Sequence, residues 1–154
     1  RDQPRSRGLG DVYKRQGYGY SRTKGVAVTD SHVLDLYNKN HKGEYILKKE
    51  VLLSAYEYDF TDKGISSQTQ LRSSFMKGAI NLAVTDDYIY ILFDVNSQEN
   101  LKRLNNEIWK FDWEGNLICK YKPNIDISLF TLSSCNNIIG LTNTEEPQIV
   151  IWHE

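Results

Sequence analysis

Most of the information about the fold lies in one stretch, Leu82-Ala-Val-Thr-Asp-Asp-Tyr-Ile-Tyr-Ile-Leu-Phe93. Its second half is apolar at consecutive positions and rich in β-branched and aromatic residues, which favours a short strand over a helix. A strand with two apolar faces must be covered on both sides, whereas a sheet with one wet face alternates apolar and polar residues. The Thr-Asp-Asp segment predicts a tight turn, because Asp side chains accept hydrogen bonds from nearby backbone amides.

Similar stretches occur elsewhere in the chain. Val26-Ala-Val-Thr-Asp-Ser-His-Val-Leu-Asp-Leu-Tyr37 aligns with residues 82–93 without a gap. A weaker copy spans residues 127–142, where the turn is Ser133-Ser-Cys-Asn136. The apolar spacing of Glu107-Ile-Trp-Lys-Phe-Asp-Trp113 also recurs in Gln148-Ile-Val-Ile-Trp152. Such recurrence predicts a fold built from repeated units.

One unit is predicted to contain four antiparallel strands, near residues 80–85, 88–95, 106–113 and 117–122. Glu114-Gly115 supplies the turn of the last hairpin, since Gly adopts the positive φ that such turns need. Four-stranded units that cover one another on both faces are typical of β-propeller blades, and a β-sandwich is the competing geometry. The recurring strand–turn–strand phrase favours an all-β partial propeller of about two and a half to three four-stranded antiparallel blades.

The blade units are expected at residues 17–78, 79–123 and 124–154. The first unit is the least regular. Within it, residues 54–60 are predicted to form a strand, residues 59–64 a hairpin turn and residues 66–74 a polar connection. In the second unit the long loop 96–106 is predicted to contain a helical turn at residues 97–103.

Residues 75–153 resemble the last blades of the TolB-like six-bladed β-propeller family, and residues 17–74 resemble it loosely. The resemblance rests on AINLAVTDDYIYILFD, NEIWKFDWEGNLICKYKPNIDISLFTLS and NNIIGLTNTEEPQIVIW. It implies an exported bacterial lipoprotein, periplasmic or anchored at the outer membrane, with a non-catalytic binding or scaffold role. The chain would then be the C-terminal part of a longer protein whose lipid-anchored N-terminus is absent.

The first sixteen residues, RDQPRSRGLGDVYKRQ, differ from the rest of the chain. They lack apolar periodicity and carry five basic residues against two acidic ones. The string Asp11-Val-Tyr-Lys-Arg-Gln16 resembles the translated end of a transposon used to prepare sequencing libraries. Residues 1–16 are therefore predicted to be a disordered, non-native segment, to be set aside in reasoning about the fold.

Composition excludes several classes of protein. A net charge of −1 with 25% charged residues gives no basic surface for nucleic acid or anionic membrane. No apolar run approaches the ~18 residues of a membrane-spanning helix. Cys119 and Cys135 are expected to be small buried apolar residues, although an exported protein would permit a disulfide between them.

Candidate binding residues fall into two groups. Asp30, Asp86 and Asp87 occupy aligned turns, where they either cap the turn or hold a cation or a substrate amine at the central channel. Trp109 and Trp113 either pack between blades or offer flat indole faces to a carbohydrate or peptide. In both groups the packing or capping interpretation is the favoured one.

No metal site or cofactor is predicted. His32, His41 and His153 lack ligand spacing, and Asp59-Phe-Thr-Asp-Lys-Gly64 has Lys63 where a calcium loop needs an oxygen ligand. The expected function is non-enzymatic binding or scaffolding at the bacterial cell envelope. The remaining blades of the propeller and a protein or glycan ligand are the expected partners. The alternative is the C-terminal part of a propeller hydrolase or lyase with its catalytic residues on other blades.

Overall fold

The computed structural model describes residues 15–29, 33–53, 58–62, 67–71, 78–94 and 106–153. Their regular elements are all β-strands, as the fold-class prediction requires. In chain order these are β1 (Arg15–Tyr20), β2 (Lys24–Thr29), β3 (Val33–Lys39), β4 (Tyr45–Leu52), β5 (Tyr58–Asp62), β6 (Ser67–Leu71), β7 (Gly78–Val84), β8 (Tyr88–Asp94), β9 (Asn106–Asp112), β10 (Leu117–Tyr121), β11 (Ile127–Leu132), β12 (Ile138–Thr142) and β13 (Ile149–Trp152).

The strands form three larger antiparallel sheets and one hairpin. The first sheet has the order β1-β2-β3-β4, the second sheet β7-β8-β9-β10 and the third sheet β11-β12-β13. β5 and β6 form a separate two-stranded hairpin. Two four-stranded sheets and one of three strands confirm the all-β partial propeller predicted from the sequence.

β8 is covered on both of its faces. Ile89, Ile91 and Phe93 point to one side, Tyr90 and Leu92 point to the other, and all five side chains are fully buried. The first side packs on the first sheet, at Val26, Val28, Leu34 and Leu36. The second side packs on the third sheet, at Ile127, Phe130 and Ile138. Each such side chain contributes about 1.5–3 kcal/mol by leaving water, which explains the run of consecutive apolar residues.

The first strands of the three sheets lie side by side, because β1 and β11 both contact β7. A Cβ added to Gly19 of β1 would lie only 2.6 Å from side-chain atoms of Leu82 and Val84 on β7. On the other side of β7, Asn81 Oδ1 accepts a hydrogen bond of 2.9 Å from the Phe130 amide of β11. The sheets therefore stack as neighbouring blades do, with equivalent strands at equivalent positions.

This arrangement corrects the repeat alignment. Residues 26–37 form β2 and β3, whereas the aligned residues 82–93 form β7 and β8. By its position in the sheet, β1 corresponds to β7 and β2 corresponds to β8. The alignment is therefore displaced by one strand. The recurring sequence consists of an apolar strand, a Thr-Asp turn and a second apolar strand. Any two adjacent strands of a blade can have this sequence, so it does not reveal which two strands it forms.

The structural repeat instead matches residues 34–51 with residues 106–123, without a gap. Asn40 and Asp112 begin equivalent hairpin turns. Asn40 Oδ1 accepts hydrogen bonds from the Lys42 and Glu44 amides, both 2.9 Å long. Asp112 Oδ1 likewise accepts them from the two equivalent amides, at 2.9 and 2.8 Å. Both turns contain a glycine of positive φ, 85° at Gly43 and 81° at Gly115.

These two glycines provide a matched test of the packing between the first and second sheets. Alanine at either position costs about 1–2 kcal/mol for the left-handed backbone. A Cβ on Gly43 would meet only Lys39 Cε at 3.8 Å, whereas one on Gly115 would lie 2.5 Å from Val51 Cγ2. We expect Gly115→Ala to lower the free energy of unfolding by about 1–3 kcal/mol more than Gly43→Ala does, measured by urea unfolding. Equal losses would contradict this packing.

The irregular first unit departs from the sequence predictions in one respect. Residues 66–74 are predicted as a polar connection, but Ser67–Leu71 form β6, which pairs with β5 in register. The Ser, Gln and Thr residues of β6 form no apolar pattern, so the sequence does not indicate a strand there. Part of the strand predicted at 54–60 is observed in β5, whereas residues 54–57 lie outside the described residues.

Other predicted features fall on parts of the chain that the structure does not describe. These include residues 63–66, within and beside the predicted hairpin turn, and the helical turn predicted at residues 97–103. Arg15 and Gln16, which the sequence places in the non-native segment, are the first two residues of β1. Within the described residues, no helix is long and apolar enough to cross a membrane.

Candidate functional site

The turns that follow β1, β7 and β11 lie at the same end of the sheets, since these three strands stand side by side. The turn after β7 carries Asp86 and Asp87, and both residues are exposed. The hydroxyl of Thr85 organises this turn by accepting hydrogen bonds from the amides of Asp87 (3.3 Å) and Tyr88 (2.9 Å). Within the described part of the chain, neither carboxylate has a hydrogen-bond or ion-pair partner. Both carboxylates therefore face solvent at a turn held by another side chain.

Trp113 holds this turn in place through its indole ring. Its indole N–H donates a hydrogen bond of 3.2 Å to the backbone oxygen of Thr85. The amine of Lys24 lies 5.5 Å from its ring centroid. Only 5% of Trp113 is exposed, so the ring fixes the turn and offers little surface to a ligand. The structure thus brings Trp113 together with the turn that carries Asp86 and Asp87.

Trp109 lies within the packing between the first and second sheets. Its ring centroid is 4.7 Å from that of Phe93 and 6.3 Å from that of Phe111. The amine of Lys120 lies 3.7 Å from the ring centroid, and the indole N–H donates to Glu107 at 2.9 Å. With 7% of the residue exposed, these contacts favour the packing interpretation of Trp109.

Asp30 lies outside the described residues. The strands on either side of it are β2 and β3, which are not the counterparts of β7 and β8. The alignment that groups Asp30 with Asp86 and Asp87 therefore has no equivalent in the sheet order.

The turn after β11 has the same type of cap as the turn after β7. Ser133 Oγ accepts hydrogen bonds from the amides of Cys135 (3.2 Å) and Asn137 (3.1 Å). Asn136 takes a positive φ of 61°. From the sequence, capping by the Asp side chains is the favoured interpretation, but the hydroxyl of Thr85 caps the turn after β7, as that of Ser133 caps the turn after β11. A hydroxyl residue that opens a polar turn is the signal for this role.

The two cysteines are free thiols. Cys119 is half-buried, but Cys135 is exposed, which corrects the expectation that both are buried. Cys135 lies in the polar turn after β11. Such a turn projects from the end of its sheet, where no neighbouring sheet covers it.

Charged residues on the adjacent turn after β9 have lowered pKa values. Partial desolvation acts to raise the pKa of Asp112, but hydrogen bonds from Asn116, Glu114 and Gly115 together bring it below the usual range. The hydrogen bond from Lys48, supported by its positive charge, lowers the pKa of Glu114. Both carboxylates remain ionised in the folded protein at a lower pH than usual.

The lowered pKa of Asp112 predicts a specific dependence on pH. A carboxyl whose pKa falls on folding stabilises the protein above its unfolded pKa, and this contribution disappears as pH falls through the folded value. Asp112→Asn keeps the Oδ1 acceptor, as Asn40 does in the equivalent turn. We therefore expect the stability difference between the wild type and Asp112→Asn to shrink as pH falls from about 7 to 3.

Urea unfolding at several pH values measures this difference, and Glu145→Gln on an exposed loop is the control. A difference that stays constant over the whole range would contradict the role given to the Asp112 charge.

No metal site is formed by the described residues, since no three His, Cys, Asp or Glu side chains among them could hold an ion. His41 and His153 are exposed, and His32 lies outside the described residues.

Stacked antiparallel sheets with their first strands side by side are the blades of a β-propeller. A family model described as TolB-like 6-blade propeller-like matches residues 10–135, and the chain belongs to this family. No curated protein matches the chain significantly. The family match includes residues 10–16 of the segment predicted to be non-native, whose origin stays a prediction.

Proposed function

We propose that this chain is part of a non-enzymatic β-propeller module of the bacterial cell envelope. In this proposal the module binds a ligand at the end of the sheets that carries Asp86 and Asp87. The family supports the place in the envelope, since its members are typically periplasmic. The observation that carries the binding site is the pair of exposed carboxylates on a turn fixed by Thr85 and Trp113.

The chemistry of this turn favours a ligand with a positive charge. Adjacent carboxylates attract an ammonium group or a cation, and exposed ion pairs of this kind contribute about 0.2–1 kcal/mol each. Because the turn is already held in place, little conformational entropy is lost when a ligand binds. An amine-bearing peptide or glycan of the envelope fits these requirements.

The binding site is tested by adding trilysine to the ¹⁵N-labelled protein and following the NMR shifts. We expect saturable shifts of the Asp86 and Asp87 amides and of the Trp113 indole N–H. Replacing both residues, in Asp86→Asn/Asp87→Asn, should weaken binding about fivefold. The control is Glu145→Gln/Glu146→Gln, which removes the same charge from the exposed loop between β12 and β13 at the opposite end of the third sheet. Equal weakening by both pairs would contradict the site.

The envelope assignment has a separate test. We expect the reading frame upstream of this chain to encode further blades, preceded by a signal peptide and a lipid-attachment Cys. Clustered His and carboxylate residues at the channel of those blades would instead support a catalytic module.

A further inference from the structure

The third sheet has an apolar face on the side away from the second sheet, which we call its end face. Two rows of paired residues cross the three strands on this face, namely Leu129, Leu141 and Ile149, and Thr131, Ile139 and Ile151. They alternate along the strands with Phe130, Ile138 and Val150, which pack toward the second sheet. Five of these six residues are apolar, and Leu129, Ile149 and Ile151 are exposed.

The same positions on the second sheet are buried under the third sheet. The turns after β7 and β11 are capped alike by hydroxyl groups, so the strand pairing can be counted from these turns. This count places Leu141 at the position of Leu92, and it places Ile139 at the position of Tyr90. Leu92 and Tyr90 are fully buried between the second and third sheets. The end face of the third sheet therefore has the composition of a face on which a further sheet packs.

The first sheet has a depression on the side away from the second sheet, which is its own end face. Gly19 contacts β7 of the second sheet, so its neighbours Tyr18 and Tyr20 point the other way. Both tyrosines are mostly exposed, and they pair across the strands with the small residues Gly25 and Ala27. A depression of about 300 Å³ results, and its lining includes Tyr18, Tyr20, Gly25, Ala27, Tyr37 and Tyr45.

We infer that the end face of the third sheet packs into this depression on a second copy of the chain, and that two such contacts close a ring of two copies. The family has a propeller of six blades, twice the number of larger sheets in the described residues. Each copy carries both end faces, so two molecules satisfy all four of them. Contacts between unlike faces close into a ring when the rotation between subunits allows it, and otherwise extend into filaments.

Within this ring, Ile139 and Leu141 of one copy fill the depression of the other copy, as Tyr90 and Leu92 pack on the third sheet within one chain. In the longer protein expected above, further blades would cover the same two faces. In the present chain a second copy takes the place of those blades. The inference rests on the packing between sheets and is independent of the proposed ligand site.

The number of copies is tested by sedimentation velocity on the wild-type chain over a range of concentrations. A closed ring predicts a monomer that converts to a dimer, with no larger species at the highest concentration. A monomer at every concentration would overturn the inference. Continued growth to trimers and larger species would also overturn it, because the contacts would then form an open filament.

The pairing of unlike faces is tested by mixing two variants. Tyr18→Lys/Tyr20→Lys changes the end face of the first sheet, and Ile149→Glu/Ile151→Glu changes that of the third. Each variant alone should dimerise at least tenfold more weakly than the wild type, since both contacts of its ring contain a changed face. An equimolar mixture should restore the dimer, because one contact of the mixed ring is unchanged and the other places lysines against glutamates.

The mixture distinguishes this ring from a dimer formed by two third sheets. In that case Tyr18→Lys/Tyr20→Lys would dimerise as the wild type does, which would overturn the inference, as would a mixture that stays monomeric. Glu145→Lys/Glu146→Lys, on the exposed loop beside β13, is the control and should dimerise normally. Circular dichroism confirms that each variant is folded, and Tyr20→Lys alone, at the more exposed of the two tyrosines, provides the same test with a smaller change to β1.

Discussion

Replacing Trp109 by alanine is expected to lower the free energy of unfolding by about 3–5 kcal/mol. The ring is buried between the first and second sheets and packs on Phe93 and Phe111. Its removal leaves a cavity and also deprives Glu107 of its hydrogen-bond donor. Because whole domains are stable by only about 5–15 kcal/mol, this loss removes a large share of the total stability.

Trp109→Phe keeps most of the ring volume and should cost much less, so it distinguishes a packing role from a general intolerance of change. Leu117→Ala on the neighbouring β10 is the exposed control. Urea unfolding followed by circular dichroism provides the three values. A Trp109→Ala variant as stable as Leu117→Ala would show that Trp109 does not serve to join the sheets.

The second large effect is expected on self-association. The third sheet presents apolar side chains on the face that points away from the second sheet, with Ile149 72% exposed and Ile151 57% exposed. Leu129 is also exposed on this face. Contiguous apolar surfaces of this kind promote association between molecules. The wild-type chain should therefore associate as its concentration rises.

Ile149→Lys/Ile151→Lys should weaken this association at least tenfold, because each isoleucine contributes about 1.5–3 kcal/mol when buried. Glu145→Lys/Glu146→Lys makes the same substitution to lysine on the exposed loop beside β13 and serves as the control. Sedimentation velocity over a range of concentrations measures the effect. A monodisperse wild-type monomer at all concentrations would contradict the prediction.

Individual strands could be predicted from the sequence because positions that are covered by a neighbouring sheet carry apolar residues. β8 lacks any polar residue between Ile89 and Phe93, since both neighbouring sheets exclude water from it. β9 alternates Trp109 and Phe111 with Lys110, and this alternation agrees with the structure, where both aromatic side chains pack in the cluster between the first and second sheets. Lys110 is nevertheless buried, and its amine lies 4.2 Å from the ring centroid of Tyr88. This contact joins residues distant in sequence and has no local signature.

The correspondence of strands between blades was not predictable from the same signal. The hydrophobic pattern of a strand indicates whether its faces are buried, but it does not indicate which strand lies against them. The equivalence of Asn40 with Asp112 is carried by turn chemistry and by the glycine three residues later. The candidate site could likewise be predicted only in part. Asp86 and Asp87 are visible in the sequence, but the roles of Thr85 and Trp113 depend on the meeting of two turns.

Alanine substitutions at two consecutive positions of β8 provide the most direct measurement of whether the second sheet lies between two others. Ile91 faces the first sheet and Leu92 faces the third. Ile91→Ala and Leu92→Ala should each lower the free energy of unfolding by about 2–5 kcal/mol in urea unfolding. A large loss at one position and less than about 1 kcal/mol at its neighbour would indicate a sheet covered on one face only, and would contradict the stacked arrangement.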